Sequence, residues 1–454
     1  MTPAPQGDAA SVVVATSCPR CGAPLELGET ANATRCGHCR AHLAVTGRGH
    51  TLSYQITPSV APAEARSLVR FAQPNDGAHR HVGDPRLFLF PYYRLTGIEL
   101  RWTRAPEPER QRPRAAPRFA NGETELLVIA TAIARQPRPL HAPVFSGRWI
   151  ERNVTACDAA GLASYSLGIR PSALRLELFR PDPAATVVAP TRAADSALDL
   201  EPGTTSDDAA LLHTTMLARH LSVIYFPYWV VEVGAADRRR CVIVDGTASS
   251  IVADDVEPEA LARLASPGAQ AVRTLGFRPL VCPNCGWDLP EDPDQVVFHC
   301  KACTRAWQLS GDALAPIPYV VGPIPAGTES EHEMLPVWIL ERAGSATHER
   351  VFAPAFHFRN LRRAVDLGQS LTRVAAEPPD LADCELTLGR CHLDRADGAA
   401  FARFVLAGLQ SDGRPPEERC TAPAPTLAWL PFRIGPYALH ELRTGTALPK
   451  LLLS

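Results

Sequence analysis

Eight of the chain's thirteen cysteines fall into C-x2-C pairs. The stretch CPRCGAPLELGETANATRCGHC opens on Cys18 and Cys21 and closes on Cys36 and Cys39, with fourteen residues between the pairs. A second stretch, CPNCGWDLPEDPDQVVFHCKAC, repeats that spacing with Cys282, Cys285, Cys300 and Cys303. Both begin Cys-Pro-x-Cys-Gly. Two thiolates three positions apart on a tight turn can face one cation, and a second such turn completes a tetrahedron of four sulfurs around Zn²⁺. Gly22 and Gly286 follow the second cysteine of each first turn, where a positive φ is commonly needed. Pro19 and Pro283 fix φ inside those turns. The spacers are long enough for a strand out and a strand back. TRC and VVFHC read as the returning strands, AHLAVTG and RAWQLSG as their continuations.

Both stretches resemble zinc ribbons, the zinc-knuckle β-hairpins found in transcription factors, replication proteins and many bacterial proteins. The resemblance implies one Zn²⁺ held by Cys18, Cys21, Cys36 and Cys39 and another by Cys282, Cys285, Cys300 and Cys303, two per chain. Four thiolates leave no open position for water, so such zinc is structural rather than catalytic. Rubredoxin-like iron centres use similar knuckles for electron transfer, which keeps an iron carrier as an alternative. His38 and His299 lie beside ligands but are not needed by a complete four-cysteine set.

The elements that must hold these turns also look repeated. LFLFPYYRLTG around Pro91 is matched by EMLPVWILERAG around Pro336, and VIYFPYWVVEV around Pro227 by LAWLPFRIGPYAL around Pro431. HAPVFSGRWIERN at Pro143 aligns with FAPAFHFRNLRRA at Pro354, and Gly246-Thr247-Ala248 with Gly445-Thr446-Ala447. The expected architecture is α+β: two copies of a zinc-ribbon β-hairpin followed by a β-rich body with a few helices. The boundaries read as ribbon 1 at 1–50, body 1 at 51–265, ribbon 2 at 266–312 and body 2 at 313–454. Strands are expected in LFLFPYYRLTGIELRW, TELLVIATAIAR, VIYFPYWVVEV and RRCVIVDGTASSIV, which are rich in β-branched and aromatic residues. Proline in a sheet favours an edge, a strand start or a bulge. Helical spacing marks 61–73, 205–221 (with Ser206 as N-cap), 398–410, EALARLASPG and FRNLRRAVDLGQSLTRV. Two proline-rich segments, 103–123 and 181–208, read as flexible loops.

The 454 residues carry a net charge of -2, which argues against a globally basic nucleic-acid binder. The arginines between Arg101 and Arg118, Arg238 to Arg240, and Arg359, Arg362 and Arg363 leave local phosphate contact open. The N-terminus lacks a basic, apolar leader, and the longest apolar run, Leu221 to Gly234, is broken by Pro227 and Glu232. A cytoplasmic protein with no membrane span is expected, where paired cysteines mean metal before disulfide. Neither H-E-x-x-H, a P-loop, G-x-S-x-G nor G-x-G-x-x-G occurs. Cys384, Cys391 and His392 lie close in sequence; a third metal site is weighed there against simple burial. The expected role is a non-enzymatic zinc-binding scaffold or adaptor with protein partners. A nucleic-acid-binding accessory protein is the alternative.

Overall fold

The computed structural model describes residues 12–48, 50–72, 81–104, 144–157, 175–180, 182–197, 210–234, 239–264, 275–324, 331–341, 350–374, 388–409 and 425–453. The largest sheet is built on a long antiparallel pair, Arg86–Arg104 and Ala210–Gly234. Their sequences alternate bulky residues to both faces, and Phe90, Tyr92, Leu95, Leu100, Ile224 and Tyr228 are buried. Strand Val144–Thr155 flanks the first of the pair. Leu52–Gln55 runs parallel to the second, and Arg240–Asp245 and then Ile251–Val256 continue it in antiparallel sense. Val13–Ser17 and Pro24–Gly28, which frame the first knuckle, join this sheet through Arg175–Leu178. Helix Pro62–Ala72 covers one end, burying Ala65 and Val69 against a cluster that includes Trp229, Val231 and Val242.

A second sheet has the same order of pairings. His332–Glu341 pairs with Thr426–Ile434, Arg350–Pro354 flanks the first, and Tyr319–Val321 runs parallel to the second. Ala438–Glu441 and Ala447–Pro449 complete it. The registers agree as well. Pro91 lies opposite Tyr225 and Leu89 opposite Pro227; Pro336 lies opposite Trp429 and Met334 opposite Pro431. The hydrogen bond from Ile56 N to Tyr225 O has a counterpart from Gly322 N to Trp429 O.

These prolines sit inside central strands, not at edges as the sequence rule predicts. The backbone explains it. Pro91 O accepts from Ala156 N at 2.9 Å and Pro336 O from Ala355 N at 2.9 Å, on the side where the flanking strand ends. A strand residue directs its N–H and C=O to the same side, so each missing N–H faces a gap in the ladder.

Three sequence readings are corrected by the registers. Pro354 lies opposite Val337 and Thr155 opposite Tyr92, so Thr155, not Pro143, occupies the matching place. Asp245 N donates to Ser250 O and Glu441 N to Thr446 O, which sets Ser249 (φ 51°) against Gly445 (φ 69°) rather than Gly246. Within the expected helix 205–221, the described residues from Ala210 onward are strand, because Thr214 and Thr215 pair with Arg101 and Leu100. Of the expected loop 181–208, Thr186–Val187 pairs with Phe88–Leu89, and Ala194–Ala197 is a short helix. The expected strand TELLVIATAIAR and most of the loop 103–123 lie outside the described residues.

Helices Leu361–Val374 and Arg395–Leu409 cover the second sheet. Glycine permits the closeness: a Cβ at Gly398 would stand 2.2 Å from the Trp338 ring. Arg395–Leu409 also touches the far end of the long pair. Trp102 Nε1 donates to Phe404 O at 3.1 Å, and the two rings stack with centroids 5.6 Å apart. Ile98, Leu100, Trp102 and Leu217 therefore belong to the same apolar cluster as Trp338, Phe352 and Phe404.

Candidate metal centres

The four C-x2-C turns share one backbone design. In each, the first cysteine's N–H donates to the carbonyl five residues on, and its carbonyl accepts from the N–H four residues on. The first turn has Cys18 N to Ala23 O and Gly22 N to Cys18 O, both 2.8 Å; the second has Cys36 N to Ala41 O at 3.0 Å and Arg40 N to Cys36 O at 2.9 Å. Cys282 and Cys300 repeat it with Trp287 and Gly286, and with Arg305 and Thr304. The fourth residue after each first cysteine takes a positive φ: 73° at Gly22, 59° at Arg40, 75° at Gly286 and 56° at Thr304. The sequence marks this at the two glycines. Arg40 and Thr304 carry no such signal, because the hydrogen bonds impose the conformation.

The turns bring each set of four Sγ atoms within 4.8 Å of one another. Cys18 and Cys39 are 3.8 Å apart, as are Cys21 and Cys36; Cys282–Cys303 and Cys285–Cys300 are both 3.5 Å. A disulfide would need about 2.05 Å. Four sulfurs around zinc at about 2.3 Å stand about 3.8 Å apart, so the donor sets fit a tetrahedral thiolate-binding metal. Cys18, Cys36, Cys282 and Cys300 are buried, and Cys21 and Cys285 are exposed at the tips. The N–H groups of Cys39 and His38 pull the Cys36 thiol down to about 6, and that of Arg305 leads in pulling Cys303 down to about 6. At Cys21 and Cys285 a backbone donor is outweighed by burial and the neighbouring sulfurs, which raise these thiols to about 11 and about 12, and burial raises Cys300. No protein-family model, curated protein or solved structure matches the chain. Among the described residues the two four-cysteine clusters are the groups that could hold a metal ion.

The other sequence candidates are placed differently. Cys391 is fully buried, its Sγ stands 3.3 Å from Leu393 O, and burial pushes its thiol up. Burial, then His357, lowers His392 to about 4. Cys384 lies outside the described residues, and among those residues no third metal-competent group occurs. His299 stands 3.0 Å from the Tyr319 hydroxyl rather than aiming at sulfur. Arg359, Arg362 and Arg363 are exposed at the start of a helix, while most of the Arg101–Arg118 cluster lies outside the described residues. Among the described residues no helix is long and apolar enough to cross a membrane.

Two features that sequence reasoning missed support the ribbons. Behind the first, Glu29 is buried with Arg94 Nε at 2.7 Å and Ser222 Oγ at 2.8 Å, and Arg94 reaches on to Glu151 at 2.5 Å. Arg48 donates to the carbonyls of Glu29 and Ala31. Between the ribbons, strand Gly276–Pro279, which leads into Cys282, pairs with His42–Thr46, which leaves Cys39. His42 Nδ1 stands 3.0 Å from Leu289 O and 3.2 Å from Glu291, and Arg35 stands 3.5 Å from Glu291. Partners such as Glu29 and Arg94, 65 positions apart, or His42 and Leu289, more than 200 apart, give no local pattern from which to predict such pairs.

Proposed function

We propose that the chain is a zinc-stapled scaffold that holds a protein partner in a larger assembly and uses its metal for shape. The single observation that carries this reading is the pair of saturated four-sulfur clusters. Each already supplies every ligand that a tetrahedral ion takes, so bound zinc would have no position for substrate or water. Zn²⁺ at Cys18, Cys21, Cys36 and Cys39 and at Cys282, Cys285, Cys300 and Cys303 would hold each pair of knuckles together. The chain's own part is to orient the thiolates through the repeated backbone hydrogen bonds of the four turns. Metal binding of this kind can contribute on the order of 10 kcal/mol to the fold that forms the site.

The recurring pairing order and proline registers support reading 1–265 and 266–454 as two copies of one ribbon-plus-sheet module. In that reading the ribbons at 1–50 and 266–312 are the rigid heads of two α+β bodies. Elemental analysis of chain purified without added metal should give two zinc per chain. One or none sinks the assignment, and iron with visible colour transfers it to an electron carrier.

A further inference from the structure

The two four-cysteine clusters are built on a common support, and the support suits a linked pair better than two independent clasps. Strand His42–Thr46 begins three residues after Cys39; strand Gly276–Pro279 ends three residues before Cys282. They pair antiparallel from Gly276 opposite Thr46 to Pro279 opposite Leu43, and Leu280 N extends the ladder to His42 O at 2.9 Å. The last knuckle of one ribbon and the first knuckle of the other therefore leave the same end of one ladder. Leu289 N donates to Leu280 O at 3.0 Å, and Leu289 O in turn stands 3.0 Å from His42 Nδ1. The hairpin turn of the first ribbon is tied too: Asn32 N donates to Pro293 O at 2.7 Å. At the far end of the ladder, Gly47 N donates to Asp312 Oδ1 at 3.0 Å, and Arg278 donates to Asp312 O.

The ribbons also share an apolar core. Ala33 and Ala44, on the two strands of the first ribbon, pack in one cluster with Leu280, Phe298 and Trp307 of the second. Cys282 and Cys300 belong to that cluster. The returning strand of the second site, through Phe298, and its continuation, through Trp307, thus rest on the strands that the first site must hold in place. An ion that binds the ordered ribbon better than the disordered one orders the support of its neighbour, and the linkage is reciprocal.

Resting on the zinc reading above, we propose that the two sites form one coupled unit, in which filling either raises the affinity of the other. The test uses full-length chain and zinc alone, in competition with a chromophoric chelator. Single-site chains are Cys18→Ser/Cys36→Ser and Cys282→Ser/Cys300→Ser. The wild-type constant for binding two zinc ions should exceed the product of the two single-site constants by about tenfold or more. A ratio of one overturns the proposal. Gly276→Val with Asp312→Ala leaves all eight cysteines in place but attacks the ladder, since a Cβ at 276 would meet Thr46 Oγ1 at 2.5 Å. This pair of changes should bring the ratio towards one, and an unchanged ratio counts against the ladder as its source.

Native mass spectrometry of wild type keeps the proposal testable if the single-site chains do not fold. At one zinc per chain, empty and doubly loaded chains should dominate. Independent sites leave about half of the chains or more with one zinc, so a one-zinc share at or above half that Gly276→Val with Asp312→Ala does not raise overturns the coupling. Wild type that takes up no zinc at all overturns the metal assignment itself, which is a distinct result.

Discussion

A carboxylate with 2% exposure stands behind the first ribbon, and its partners decide whether it stabilises or disrupts the fold. Glu29 is held by Arg94 and Ser222, with Arg94 itself 3% exposed. Removing one member of such a pair leaves a buried charge without compensation. Arg94→Leu should therefore lower stability by about 3–5 kcal/mol, read from denaturant unfolding of the metal-loaded protein. Arg94→Leu with Glu29→Leu should recover much of that loss. Equal destabilisation by the single and double changes would show that the pair is not what matters. This network was not legible in the sequence. The eight cysteines were, because a knuckle is a local structure whose ligands and spacing are written within a few residues. Glu29, Arg94 and Ser222 become neighbours only after the sheet has paired.

Helix Arg395–Leu409 begins with a half-buried carboxyl, Asp397, that also secures the long strand pair. Asp394 Oδ1 accepts from Asp397 N at 2.8 Å, and Asp397 Oδ2 accepts from Ala218 N at 2.9 Å. Ala218 has a φ of 48° beside the irregularity between Leu217 and His220, so this side chain meets the N–H that the bulge turns away from the ladder. Burial, helped by Asp394, pushes Asp397 up to about 7 from its usual 3.8. The folded state thus holds the proton more tightly than the unfolded one. Its stabilising contribution is complete below about pH 4 and is lost as pH rises through about 7. Asp397→Asn should flatten this part of the stability profile between pH 4 and 7 while keeping an acceptor for Ala218 N. An unchanged profile would remove Asp397 from the account. At this scale the sequence was legible in part. Helix 398–410 and helix 61–73 were visible from their apolar spacing. Within 205–221 the described residues from Ala210 onward were not read correctly, since pairing with Arg86–Arg104 overrides their local preference.

The two halves are joined by more than their ribbons. The far end of the long strand pair enters the cluster that contains Trp338 and Phe404. Residues 1–265 expressed alone would expose Ile98, Leu100, Trp102 and Leu217, a patch large enough to favour association. That fragment should aggregate, and the full chain should unfold in one calorimetric transition. A soluble, monomeric fragment by light scattering would contradict the shared core. The repeated pairing order was visible in the sequence as Pro91, Pro227, Pro336 and Pro431, whereas this joint was not, because it depends on strand lengths.

Those lengths have one more consequence. The first strand of the long pair is described to Arg104, with Thr103 opposite Val144, whereas the described part of its counterpart reaches Glu341 opposite Arg350. Twelve residues follow Pro91 before its last pairing with that flanking strand, and five follow Pro336. The first half extends an arm and the second receives it in a saddle of helix. A head-to-tail contact of this kind would propagate into a filament if every unit carried both parts. Here the arm of the first half already lies against the helix of the second within one chain. That contact is used up inside the molecule, so the helix that receives Trp102 is not free to take the same strand end from another chain.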